Sequence, residues 1–149
     1  MVTWEEFIEI VKRNFEFLEK DFSFKKLSEK MPFVTYQSQQ VTLDIHYDIE
    51  RYRELDLGIQ PVEKIDKFQR SFGIGVLIRL NDPEGIQPHY MSPFPKTKNE
   101  VEFEVKKLAN LLYQYGLKVL KGDLSDLRSI QKKREDPKYF PYKTNKSKF

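Results

Sequence analysis

Apolar residues Val101, Val105, Leu108, Leu112, Tyr115 and Val119 succeed one another at steps of four, three, four, three and four. At about 3.6 residues per turn these steps fall on one stripe, so the spacing predicts an amphipathic helix over Lys98–Lys121. Thr97 precedes it and Glu100 follows three residues on, the reciprocal capping box in which a hydroxyl and a carboxylate satisfy two free amides. Gly122 supplies the left-handed residue on which helices commonly end. A second capping box, Thr3 and Glu6, opens another helical stripe of Trp4, Phe7, Ile8, Val11, Phe15 and Leu18, predicting a helix over Trp4–Lys20. Its other face, Glu5, Glu9, Lys12, Arg13, Glu16, Glu19 and Lys20, is mixed in sign and reads as solvated surface.

Between these helices the period changes. Short strands are expected over Phe24–Glu29 and Pro32–Gln37, with Ser38-Gln39-Gln40 as the loop of a hairpin. The next strand is the clearest, because Val41, Leu43, Ile45 and Tyr47 alternate strictly with Thr42, Asp44, His46 and Asp48. After a turn near Asp48–Arg51, Leu55, Leu57 and Ile59 alternate in a fourth strand over Tyr52–Ile59. Gln60–Arg70 reads as a surface connection. Ser71–Leu80 fits two periods: alternation of Ile74, Val76, Ile78 and Leu80 favours a strand, whereas Ile74, Leu77 and Ile78 behind a Ser71 cap suit a short helix. Asp82-Pro83-Glu84-Gly85 is a turn, and Pro88, Pro93 and Pro95 keep the chain irregular up to Thr97. A last short helix is expected over Leu124–Lys133 with Asp123 as its cap. The fold class is therefore α+β: an antiparallel sheet of about four strands, flanked by an N-terminal helix and a long C-terminal helix that cover its apolar face.

The 149 residues are enough for one domain with a sizeable core, placed at residues 1–131. Charge divides the chain unevenly. Residues 1–60 hold eight Lys or Arg against twelve Asp or Glu, while residues 132–149 hold seven against two, so the net charge of +3 belongs to the C-terminal stretch. Prolines and lysines make residues 132–149 a basic, flexible tail. There is no cysteine, which removes disulfides, thiol nucleophiles and thiolate metal sites. An N-terminal cationic-apolar signal and an apolar run of roughly 18–20 residues are both missing, so the cytoplasm is the expected location.

Candidate chemistry is sparse. Asp44, His46 and Asp48 project from one strand face at about 7 Å per step of two residues, too far apart to converge on a metal without partners such as His89, Glu54 or Asp56. Gly73-Ile74-Gly75 lacks the rest of a dinucleotide loop, and neither a phosphate-binding GxxxxGK[ST] nor a GxSxG elbow occurs. No catalytic residue, metal or cofactor is expected. The acidic strand face is different, because clustered like charges attract a basic partner and speed its approach. Asp44, His46, Asp48, Glu50, Glu54 and Asp56 are the expected partner-binding residues. The tail carries Lys132, Lys133, Arg134, Lys138, Lys143, Lys146 and Lys148 among Tyr139, Phe140, Tyr142 and Phe149, the composition of a nucleic-acid arm.

The stretches FLEKDFSF, VTYQSQQVTLDIHYD and NEVEFEVKKLANLLYQYGLKVLKGDLSDL, in that order, resemble those of small bacterial immunity-protein-like domains encoded near toxins or defence systems. The resemblance covers Trp4 to Leu127, leaves out the tail and carries over no site residue. It implies a short helix at Phe72–Leu80. It also implies a non-enzymatic protein that binds and neutralises or regulates a partner protein. The alternative expectation is a nucleic-acid-associated accessory protein that uses the basic tail.

Overall fold

The structure, a computed structural model, describes residues 1–63, 71–82 and 90–136. Helices α1 (Trp4–Asn14) and α2 (Glu16–Asp21) lead into strands β1 (Lys25–Ser28), β2 (Phe33–Gln37), β3 (Val41–Tyr47), β4 (Leu55–Pro61) and β5 (Phe72–Gly73). Helices α3 (Ile74–Asn81), α4 (Lys98–Tyr115), α5 (Leu117–Leu120) and α6 (Ser125–Glu135) complete the described chain. The strands form one antiparallel meander in the order β1-β2-β3-β4-β5. The fold class is thus the α+β arrangement read from the sequence, with a two-residue fifth strand added.

Register follows from the alternation. Tyr36 stands opposite Leu43, Ile45 opposite Leu57 and Tyr47 opposite Leu55, and all six are fully buried. A slip of one residue would turn this whole set to water, so the apolar face fixes the pairing. Against it lie Phe7, Ile10 and Val11 of α1 and Val101, Val105, Leu108 and Leu112 of α4. The Phe7 ring stacks on Tyr47 with centroids 4.9 Å apart. Both capping boxes form, the Thr3 hydroxyl accepting from the Glu6 amide and the Thr97 hydroxyl from that of Glu100. The amide of Thr97 in turn donates to the Glu100 carboxylate and holds its pKa below the usual range.

The N-terminal helix expected over Trp4–Lys20 is instead broken at Phe15 (φ −106°, ψ 15°). The Asn14 carboxamide donates to the Ile10 carbonyl at 2.8 Å, and Leu18 N–H closes a tighter turn onto the Phe15 carbonyl. Such side-chain bonding to the preceding turn competes with the helical ladder. The long helix is likewise interrupted, at Gly116, where a Cβ would stand 2.8 Å from the Leu112 carbonyl oxygen. Gly122 does terminate α5 in the left-handed region (φ +89°), with the Gln40 side chain 3.1 Å from where a Cβ would be. Strand β4 starts at Leu55 rather than Tyr52, because Arg53 takes φ +57° to close the preceding turn.

The ambiguous stretch resolves mostly as helix. Phe72–Gly73 pair with Gly58 and Ile59, and the chain then turns helical so that Ile74, Leu77 and Ile78 are buried while Val76 and Leu80 are only half-buried. Asp123 accepts the Ser125 amide at 2.9 Å, but the cap position of α6 is taken by Leu124, one residue later than expected. Helix α6 runs on to Glu135, so Lys132–Glu135, assigned to the tail from composition, are its last residues. The flexibility expected of the rest of the tail falls on residues 137–149, outside the described ones. Among the described residues no helix is long and apolar enough to cross a membrane.

Two predictions test this core. Leu112 is fully buried, so Leu112→Ala is expected to cost about 2–5 kcal/mol by chemical denaturation. A loss under about 0.5 kcal/mol, as at an exposed site, would contradict the packing. Tyr36 is also fully buried, and its hydroxyl has no hydrogen-bond partner among the described residues. Burial first, then Glu19 and Glu29, pushes this phenol up to about 12 from 10.0. A raised folded-state pKa gives stability that is complete below pH 10.0 and lost as pH rises to about 12. Tyr36→Phe is therefore expected to gain about 1 kcal/mol at pH 7 and to lessen the alkaline loss in that window. Denaturation curves at both pH values decide it, and a destabilised variant would reveal a partner for the hydroxyl.

Candidate functional site

The face of the sheet opposite the core is polar because its residues are the alternate ones. Phe33, His46 and Asp56 lie side by side across β2, β3 and β4, as do Thr35, Asp44 and Gly58, and Gln37, Thr42 and Gln60. Thr35 donates its hydroxyl to Asp44 Oδ1 at 2.7 Å, and Gln37 Nε2 donates to the Thr42 hydroxyl at 3.0 Å. These short cross-strand bonds hold the face in one arrangement. Asp56 turns its carboxylate back on its own strand and accepts the Leu57 amide at 2.8 Å.

Of the six residues expected to bind a partner, the structure brings Asp44, His46 and Asp56 onto this one face. His46, Asp48 and Glu50 line a cleft of about 340 Å³ with Met31, Pro32, Ile49 and Arg51. Asp48 is held there by the turn, its carboxylate accepting the Tyr52 amide at 3.3 Å. Glu54 and Asp56 also flank Tyr90, a half-buried residue whose hydroxyl is pushed up by burial first and then by Asp56, Glu104 and Glu54. Among the described residues none of Asp44, Asp48, Glu50, Glu54 and Asp56 forms an ion pair. The face is therefore a negative field, offset within the cleft by Arg51.

Two residues of the site were not read from the sequence. Met31 and Phe33 are 42% and 41% exposed, and the Phe33 ring meets His46 at 5.1 Å between centroids. The available signal was parity: Phe33 alternates with the buried Val34 and Tyr36 and so belongs with the polar Thr35 and Gln37. An aromatic ring on the wet face of a strand is an apolar anchor beside the carboxylates.

The basic residues separate. Lys132 and Lys133 are exposed on α6, whereas the Arg134 guanidinium lies 4.5 Å over the Phe72 ring. Arg134 is thus part of the packing between α6 and the sheet edge. Lys138, Lys143, Lys146 and Lys148 lie outside the described residues, as does His89. Among the described residues no group of three His, Asp or Glu could hold a metal ion. The chain matches no protein-family model, no curated protein and no solved structure.

Because Arg134 stacks while its neighbours do not, Arg134→Ala is expected to lower stability by about 0.5–2 kcal/mol. Lys132→Ala and Lys133→Ala should each stay within about 0.5 kcal/mol. Thermal melts of the three variants check the difference, and equal effects would put Arg134 back among the solvated cations.

Proposed function

We propose that this chain is a non-enzymatic, cytoplasmic protein-binding module of the immunity or antitoxin type, which covers a cationic surface of a partner protein. The observation that carries the reading is the open sheet face, where Asp44 and Asp56, with Asp48, Glu50 and Glu54 in the adjoining turn between β3 and β4, form no ion pair among the described residues and adjoin exposed Met31 and Phe33. Apolar anchors ringed by charge are how stable interfaces divide the work: the anchors supply affinity and the charges supply approach rate and choice of partner. The resemblance of the chain's periodic stretches to immunity-protein-like domains supports the kind of partner, a toxin or defence effector encoded nearby.

The test is association with the product of the adjacent gene, followed by surface plasmon resonance at two salt concentrations. Glu50→Lys combined with Glu54→Lys is expected to slow association about tenfold at low salt, with the gap closing at high salt as screening sets in. Phe33→Ala should instead raise the dissociation rate. Absence of a complex, or one indifferent to all three substitutions, would overturn the reading. A second reading, a nucleic-acid accessory protein, is favoured by the exposed pair Lys132 and Lys133 leading into four further lysines. It would require that the chain bind a single-stranded oligonucleotide at about 100 mM salt and lose that binding on truncation after Asp136.

A further inference from the structure

The segment leading into α4 is fixed from the sheet side. Leu55 N–H donates to the Pro93 carbonyl at 3.0 Å, the Tyr47 hydroxyl to the Pro95 carbonyl at 2.7 Å, and the Thr97 capping box follows at once. Pinned this way, Pro93, Phe94 and Pro95 form one wall of a cleft of about 480 Å³, and Glu100, Phe103 and Glu104 of α4 form the other. Phe94 is 52% exposed and Phe103 66%. Phe103 falls on the polar side of α4, between the buried Val101 and Val105, so core packing does not account for it.

The two carboxylates of the cleft differ. Glu100 is engaged by the amides of Thr97 and Lys96, and the Lys96 ammonium lies close enough to favour its charge. Glu104 makes no hydrogen bond or ion pair among the described residues, and it acts with Asp56 and Glu54 on the Tyr90 hydroxyl. An uncompensated carboxylate thus stands beside two exposed phenyl rings, with further acids behind it. A guanidinium meets all of these demands, since it pairs with a carboxylate through its edge and lies flat on an aromatic ring through its face. The molecule already seats one of its own arginines on a ring in this way, Arg134 over Phe72 at 4.5 Å.

We propose that the Pro93–Glu104 cleft is a docking site for an arginine in an apolar segment of a partner protein, the guanidinium paired with Glu104 and stacked on Phe103 or Phe94. The cleft lining uses none of Asp44, His46, Asp48 or Glu50 and shares with the function proposed for the sheet face only Glu54 and Asp56, which stand behind Glu104 and do not line the cleft. An anionic segment is repelled by Glu104, and a purely apolar one leaves that carboxylate desolvated and unpaired.

The probe is the peptide acetyl-Ala-Leu-Arg-Leu-Ala-amide, with a counterpart in which citrulline, of the same shape but uncharged, replaces arginine. Titrated into the full-length, nitrogen-15-labelled protein, the arginine peptide is expected to shift the amides of Phe94, Phe103 and Glu104 saturably. The citrulline peptide should bind about fivefold or more weakly, and Glu104→Gln and Phe103→Ala should each weaken the arginine peptide to a similar extent. Equal binding of the two peptides, no saturable shift, or shifts centred on Asp44 and His46 would overturn the proposal. The peptide comparison needs no variant, so misfolding of either substituted protein leaves the test intact.

Discussion

Tyr47 joins every layer of the molecule. Its ring is buried between the sheet and α1, stacked on Phe7, while its backbone stands opposite Leu55 and donates to the Pro32 carbonyl. Its hydroxyl donates to the Pro95 carbonyl, which places Thr97, the N-cap of α4, two residues later. Burial raises the Tyr47 pKa, so the hydroxyl remains the donor this bond needs over the whole ordinary pH range. One side chain at the end of β3 therefore sets where α1 lies, where α4 begins and how the Pro93–Pro95 segment is held. The start of α4 and the cleft beside it are different readouts of that one placement.

The elements that were legible in the sequence are those whose two faces differ. Strand β3 alternates without exception, and both capping boxes appear as residue pairs three apart, so they were found with their boundaries. The breaks at Phe15 and Gly116 were not legible, because each leaves the apolar stripe on the same side. Phe15 and Leu18 stay in the core whether or not the helix is continuous. Residues 72–81 satisfy both periods with the same aliphatic side chains, and only the packing of Ile74, Leu77 and Ile78 against neighbouring elements selects the helix. Among the site residues, Asp44 and His46 follow from strand parity alone. That Glu54 and Asp56 share Tyr90 with Glu104 follows from how β4 meets α4, a contact across about fifty residues that no local pattern encodes.

Charge is handled in two different ways on the surface. Along the seam between α1 and α4 it is neutralised, Arg13 pairing with Glu102 at 2.7 Å and Lys98 with Glu6 at 3.3 Å. These exposed pairs contribute little to stability, on the order of a few tenths of a kcal/mol each, and mainly keep like charges apart. On the sheet face and around Tyr90 the carboxylates form no ion pair among the described residues. Arg51 shares its cleft with Asp48 and Glu50 and Lys96 acts on Glu100, while Asp44, Asp56 and Glu104 form no ion pair among the described residues.

The hydrogen bond from the Leu57 amide to the Asp56 carboxylate bears on how the protein avoids its own copies. The bond from Asp48 N–H to the Glu54 carbonyl turns the even-numbered positions of β4 toward β3, so Leu55, Leu57 and Ile59 direct their amides the other way. Pro93 takes the first of these and the two-residue β5 lies beside the last, leaving the Leu57 donor between them. An open donor on a strand rich in leucine and isoleucine is a template on which a foreign strand can add. By folding onto its neighbour's amide, Asp56 fills that donor with a charged acceptor, so at this point of β4 an incoming strand meets a carboxylate in place of a free amide.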